Sequence, residues 1–266
     1  MPNIVVLIKQ VPDTWSERKL SDGDFTLDRE AADAVLDEIN ERAVEEALLI
    51  KERDGGEVKV VSAGPERAGE AIRKALSMGA DSAVHISDEA LHGSDAIQTA
   101  YALAAALGQV TFEDGESASL VIAGNEATDG RVGAVPAIIA EYLGLPALTQ
   151  VRKVEISGTT ITAERETDEG VFGLEAELPA VVSVTEKINE PRFPSFKGIM
   201  AAKKKPVQTL TLADIGVDPS IVGVANSSTQ VVSSTPKPPK AAGEKVADDG
   251  DGGIKIAEYL IAQKII

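Results

Sequence analysis

Along the first two-thirds of the chain, continuous apolar runs alternate with segments whose apolar residues recur at helical spacing. The run "NIVVLIKQV" (Asn3 to Val11) has strand length and no polar alternation, as expected where both faces of a parallel sheet are covered. Ala43, Val44, Ala47 and Leu48 then recur at helical spacing, with Glu45, Glu46, Lys51 and Glu52 expected on the wet side. A second strand is predicted over Val58 to Gly64, and Pro65 stands where a helix would open. Ile72, Ala75, Leu76 and Gly79 mark the inner stripe of that helix. "SAVHIS" reads as a third short strand, "DAIQTAYALAAAL" as an alanine-rich helix, and Ala118 to Gly124 as a fourth strand. "VPAIIAEYLG" is a further helix stopped by Gly144. The rhythm predicts an α/β fold, a doubly wound and mostly parallel sheet of the Rossmann-like, adenine-nucleotide-binding kind with right-handed crossovers.

Beyond Pro146 the period changes. "VRKVEISGTTITAERE" alternates with period two around Ser157-Gly158, which predicts an antiparallel hairpin added to the sheet. "VFGLEAELPAVVSV" continues strand-like to Val184, with Pro179 at an edge or bend. The α/β domain is therefore expected over residues 1–188. In the next segment, residues 189–205, Pro191 and Pro194 oppose a regular strand or helix, while Phe193, Phe196 and Lys203 to Lys205 concentrate scarce aromatic and basic residues. Residues 206–253 are expected to form an extended arm, linker-like from Val224 to Gly253, and residues 254–266 a short amphipathic helix that docks on its own domain or on another chain.

Charge and composition narrow the chemistry. The 266 residues carry a net charge of −17, so a free-standing nucleic-acid binder is not expected. No apolar run reaches membrane-spanning length, and the N-terminus lacks the basic leader and cleavage site of a signal peptide; a soluble, cytoplasmic protein is expected. The chain has no cysteine, which removes disulfides, thiol nucleophiles and thiolate metal sites. Its two histidines, His85 in a strand and His92 in a loop, have no metal-like spacing. A serine-nucleophile elbow, a zinc-binding H-E-x-x-H and a Walker A loop are all missing from the sequence. Binding or carrying is favoured over catalysis.

In open α/β sheets ligands collect at the carboxyl ends of the strands. Those ends are "KQVPDTW" (Lys9 to Trp15), "SAGP" (Ser62 to Pro65) and "AGNEATDGRVGAV" (Ala123 to Val135). The last holds Gly124, Gly130 and Gly133 and leads into a helix, a combination that lets phosphate reach backbone N–H groups. Glu126 and Asp129 would repel a phosphate and Arg131 would offset them. Glycine spacing alone leaves a nucleotide loop and a plain strand–helix connection equally open.

The order "IKQVPDT", "AVEEAL", "SAGP", "AIRKALSMGAD", "AGNEATDG" and "NEPRFPSFKGIMAAKKK", with "AERETDEGVFGLEAELPAVVSV" (Ala163 to Val184), resembles the β subunit of the electron transfer flavoproteins over essentially the whole chain. The resemblance implies a heterodimer with an α subunit that holds most of an FAD site, and an AMP bound by the β subunit. The AMP contacts it implies are Leu7, Ala63, Gly124, Asn125, Glu126, Ala127, Thr128, Asp129, Gly130, Arg131, Val132, Gly133, Ala134 and Val135, with Thr14 near the flavin. The chain departs from the family pattern at Arg131, where many relatives have an acid, at Ala134, where many have Gln, and at Asp37, in place of an Asn. The segment 189–205 is similar to the family's recognition segment, which implies partner contacts at Pro191, Phe193, Phe196, Ile199 and Met200, with Phe196 as the anchor. The implied role is an electron carrier without substrate chemistry of its own, running from acyl-CoA and related dehydrogenases to a membrane-associated quinone oxidoreductase, as in fatty acid β-oxidation. Electron-bifurcating relatives hold a second FAD where others hold AMP. A stand-alone nucleotide-binding regulator would have a G-S/T phosphate pair and no C-terminal arm, and an ATP-using enzyme of this superfamily an S-G-G-x-D-S type loop; neither pattern suits the chain.

Overall fold

A strand without polar alternation needs cover on both faces, and the fold supplies it. The computed structural model of the chain describes residues 1–266 except 237, 240, 241 and 244, in two units, Met1–Val232 and Ser233–Ile266. In the first unit β1 (Asn3–Leu7) is buried along its whole length. The apolar run does not continue as one strand. The chain turns after Leu7, and β2 (Gln10–Pro12) pairs antiparallel with β3 (Ala34–Leu36) in a small sheet of its own. There follow α1 (Glu38–Asp54), β4 (Glu57–Ala63), α2 (Gly69–Met78), β5 (Ser82–Ile86), α3 (Ala96–Leu107), β6 (Leu120–Gly124) and α4 (Val135–Leu143). Asp95 opens α3 with a capping box, and Gly144 closes α4 in the left-handed conformation.

The hairpin consists of β7 (Ala147–Ser157) and β8 (Thr160–Thr167), followed by β9 (Gly170–Glu177) and β10 (Ala180–Val184). Ser157 pairs with Thr160, so the turn is Gly158-Thr159, one residue later than the alternation suggested. The main sheet has nine strands in the order β11-β5-β4-β1-β6-β10-β7-β8-β9, where β11 is Val207–Leu210. Strands β11 to β7 in that order are parallel, and β8 and β9 extend the sheet antiparallel. Pro179 is the bend before β10, which is a fully buried central strand between β6 and β7. Helices α1 and α2 pack with Ile4 and Val6 on one face, and α3 and α4 with Val5 and Leu7 on the other. The architecture is the doubly wound, mostly parallel α/β sheet that the sequence pattern predicts.

Three further features differ from the sequence pattern. Glu45 and Glu46 are buried rather than wet, because residues 189–192 lie against that face of α1. The chain from 206 onward does not leave the fold as an extended arm. It first adds β11 at the sheet edge, and Leu212, Ile215, Val217 and Val222 are buried in the α3–α4 core. The segment after Pro194 is a short helix, α5 (Phe196–Ala202), since both prolines precede it and the Ser195 hydroxyl accepts from the Gly198 N–H at its first turn. In the second unit α6 spans Gly252–Ala262.

Candidate functional site

The chain runs from β1 to β4 and β5 on one side of the sheet, then returns to place β6 on the other side of β1. That reversal makes β1/β6 the switch point, outside whose carboxyl end open α/β sheets hold their ligands. Leu7 ends β1 in register with Val61 of β4 and Ala123 of β6. Ala63 ends β4 two residues beyond Val61, and the loop 124–135 begins where β6 stops. The sequence-predicted residues of all three strand ends therefore meet at one edge of the sheet.

The loop is fixed from below by the start of α1. Asp37, fully buried, caps that helix by accepting from the N–H groups of Ile39 (2.9 Å) and Asn40 (3.2 Å) through Oδ1. Its Oδ2 accepts from the N–H and hydroxyl of Thr128 at 2.7 and 2.8 Å. Asn40 Oδ1 accepts from the Lys9 N–H at 2.7 Å, and Arg18 donates to the Thr128 carbonyl at 2.8 Å. Gly124 is required for this packing: a Cβ there would lie 2.5 Å from Asn40 Nδ2 and 3.0 Å from Ile39 Cγ2. Gly130 has open space around it, and Gly133 takes a positive φ of +68°.

The acids of the loop are neutralised within the protein. Asp129, its side chain 4% exposed, receives the Lys9 ammonium at 2.7 Å, the Gly130 N–H at 2.7 Å and the Arg29 guanidinium at 3.7 Å. Burial pushes the Asp129 carboxyl up, but Lys9, Arg29 and Gly130 together outweigh it and hold the group below the usual aspartate value. Glu126 pairs with Arg131 at 3.3 Å. The repulsion a phosphate would otherwise meet is thus removed, chiefly by two cations that the sequence reading did not assign. Lys9 falls in the first strand end, where nothing in the local pattern marks its side chain. Arg29 carried no signal, because the β2–β3 excursion is what returns it to the loop.

What the loop leaves open suits a nucleotide. The backbone N–H groups of Val132, Gly133 and Ala134 have no acceptor among the described residues, and Arg131 and Gly133 both adopt positive φ. Successive N–H groups in such a conformation form a concavity for an anion, here at the N-terminus of α4. Asn125 Oδ1 is buried without a partner among the described residues, an acceptor that an adenine amino group or a ribose hydroxyl would satisfy. Thr128 and Asp129 direct their side chains to protein groups; Ala127 and Val135 contribute no polar side chain. Thr14 is exposed after β2 and donates to Glu38 at 3.3 Å. His85 is buried in β5 with its Nε2 3.1 Å from the Gly64 carbonyl, a structural role.

The segment 189–205 presents its apolar side chains to solvent. Phe193 is 93% and Phe196 81% exposed, and Ile199 and Met200 are about half exposed on α5. Pro191 and Pro194 flank Arg192 and Phe193 and are partly covered. Lys205 is not a free tail residue. It donates to the Leu76 and Ala80 carbonyls at the end of α2, where burial pushes its pKa down. Lys203 and Lys204 are exposed.

Residues 24–215 match the electron transfer flavoprotein domain, which sets the class. Over its full length the chain is 72% identical to the electron transfer flavoprotein subunit beta of Mycobacterium tuberculosis (strain ATCC 25618 / H37Rv) and 70% identical to that of Mycobacterium leprae (strain TN), with all of each relative covered. It is 37% identical to the caffeyl-CoA reductase-Etf complex subunit CarD of Acetobacterium woodii, over 91% of both chains. The chain belongs to the electron transfer flavoprotein family, among its β subunits. Its place is accordingly in electron transfer, as one subunit of a flavoprotein. Among the described residues no helix is long and apolar enough to cross a membrane.

Proposed function

We propose that the chain is the β half of an α/β heterodimer that carries electrons in the cytoplasm from acyl-CoA and related dehydrogenases to a membrane-associated quinone oxidoreductase. The observation that carries this reading is the switch-point edge, where Leu7, Ala63 and the 124–135 loop surround an anion-accepting backbone whose nearby acids are already paired. AMP is the nucleotide assigned to it. The N–H groups of Val132 to Ala134 would take the phosphate, Lys9 and Arg29 keep Asp129 from opposing it, and Asn125 offers its free amide oxygen to the nucleoside. FAD would be held mainly by the α subunit, and it supplies the redox chemistry when bound. Thr14, with its exposed hydroxyl tethered to Glu38, would stand at the rim facing that cofactor. Phe196, with Phe193 beside it, would enter an apolar pocket on the dehydrogenase. A rigid aromatic loses few rotors on docking, so a small contact can be specific and still release quickly.

The purified heterodimer tests the assignment. Nucleotides released by acid and identified by mass spectrometry should be one FAD and one AMP per dimer. Two FAD and no AMP would place a second flavin at the switch point, in line with the electron-bifurcating alternative. A dimer that binds no flavin would sink the carrier reading.

A further inference from the structure

The segment that presents Phe193 and Phe196 is fastened at both ends to different helices. Its exit is held by α2: Arg73 donates to the Ala202 carbonyl (2.7 Å) and the Lys205 carbonyl (3.1 Å), and a Cβ on Gly198 would lie 2.4 Å from the Ser77 carbonyl. Its entrance is held by α1 through charge. Arg192 donates Nε to Glu45 Oε2 at 2.7 Å and Nη2 to Glu45 Oε1 at 2.9 Å, while Nη1 reaches Glu52 Oε1 at 2.5 Å. The Arg192 backbone N–H also donates to Glu45 Oε2, at 3.1 Å. Glu45 and Glu52 are seven residues apart on α1, two turns along one face, so a single guanidinium spans both. One turn away Asn189 donates to the Arg42 carbonyl (3.1 Å) and to Glu46 Oε2 (3.0 Å), and the Arg42 guanidinium donates back to the Asn189 carbonyl.

Such a clamp is costly for a segment that needed only to cross the surface. Glu45 is 5% exposed, and burying a carboxylate is unfavourable unless its partner is well placed. The charge pair sits immediately before Phe193, which has almost no packing of its own to define its direction. We infer that Arg192 is a positioning residue: by bridging Glu45 and Glu52 it sets the direction in which Phe193 and the first turn of α5 point, and so prepays the ordering that docking on a dehydrogenase would otherwise require. This rests on the reading of residues 189–205 as the dehydrogenase contact. Lysine in place of Arg192 keeps the charge but offers a point donor rather than a planar fork, so it cannot hold both glutamates in one geometry.

The test uses the FAD-loaded heterodimer as the varied substrate of an acyl-CoA dehydrogenase. Arg192→Lys should raise the KM for the heterodimer about tenfold with kcat little changed, because the contact is loosened and the redox step is not. Phe196→Ala should raise the same KM, and adding Arg192→Lys to it should change KM by less than about twofold, since the two act through one contact. Glu52→Gln removes only the exposed half of the clamp and should give a smaller KM rise; it decides the matter if Arg192→Lys lowers FAD content or melting temperature. A raised KM for Phe196→Ala beside wild-type KM for both clamp variants overturns the clamp and leaves the recognition reading standing. Fully additive effects also overturn it. Wild-type KM for Phe196→Ala overturns the recognition reading, and the inference with it.

Discussion

At the scale of single residues, Asp129 shows how neighbours decide chemistry. Burial alone would favour its neutral form, yet Lys9, Arg29 and the Gly130 N–H keep it charged. Because its folded-state pKa lies below the unfolded value, its contribution to stability is full above the ordinary aspartate pKa of about 3.9 and is lost as the pH falls through the lower, folded value. Asp129→Asn leaves Lys9 and Arg29 facing a neutral amide and should cost about 2 kcal/mol near neutral pH, less than a fully buried pair because both cations are partly solvated. Thermal melts of the two proteins should differ by a constant amount from pH 8 to pH 5, and the gap should narrow only below about pH 4. A gap that closes between pH 8 and pH 6 would assign the effect to another group. Glu46 has the opposite sign. Burial raises its pKa against the pull of the Asn189 amide, so protonation of Glu46 adds stability as the pH falls through that raised value.

At the scale of elements, Gly124 and Gly130 look equivalent in the sequence and are not. Gly124 lies where α1 crosses the end of β6, and an added Cβ would collide with Asn40, whose amide oxygen holds the Lys9 N–H. Gly124→Ala should therefore destabilise by about 2 kcal/mol, the cost of overpacking a site that has no room to give. Gly130→Ala meets nothing within 4 Å and should stay within about 0.5 kcal/mol of wild type. Matched melting temperatures for the two variants would refute the contrast. The same distinction explains what the sequence made legible. Continuous apolar runs and caps such as Asp95 and Gly144 are local, so the strands of the main sheet and the helices up to Leu143 could be read directly, whereas the break after Leu7 and the β2–β3 pair could not. The burial of Glu45 and Glu46 could not, because their cover arrives from residues 189–192, far along the chain. For the same reason the pattern gives β10 only as a continuation of the strand before Pro179, and β11 as the start of an arm: their parallel partners β6, β7 and β5 are remote in sequence. Within the candidate site, the glycine loop was visible as a motif. The role of Arg29 was not, since only the β2–β3 excursion gives it a place.

At the scale of the molecule, the two units have different needs. Met1–Val232 closes its own core, with Leu212, Ile215, Val217 and Val222 sealing the α3–α4 side. The unit Ser233–Ile266 contains α6, an eleven-residue helix on which Ile254, Ile256, Tyr259 and Ile261 are all more than half exposed. A helix of that length is marginal alone in water, and the ion pair of Lys255 with the N-cap Asp251, at 2.8 Å, adds only a few tenths of a kcal/mol. Its apolar face is therefore a surface that needs a partner, and the α subunit of the heterodimer is the partner proposed. Ile254 and Ile261 are seven residues apart and lie on the same face of α6. Replacing both with Asp should weaken the heterodimer about a hundredfold, since losing two buried isoleucines removes on the order of 3 kcal/mol of apolar contact. The melting temperature of the β chain alone should not move, because none of the residues that close the core of Met1–Val232 is touched. Sedimentation of the wild-type and doubly substituted proteins with the α subunit reads the first quantity, and calorimetry of the β chain the second. An unchanged heterodimer affinity would remove α6 from the interface, whereas a fall in the melting temperature of the β chain would mean that α6 stabilises its own chain instead.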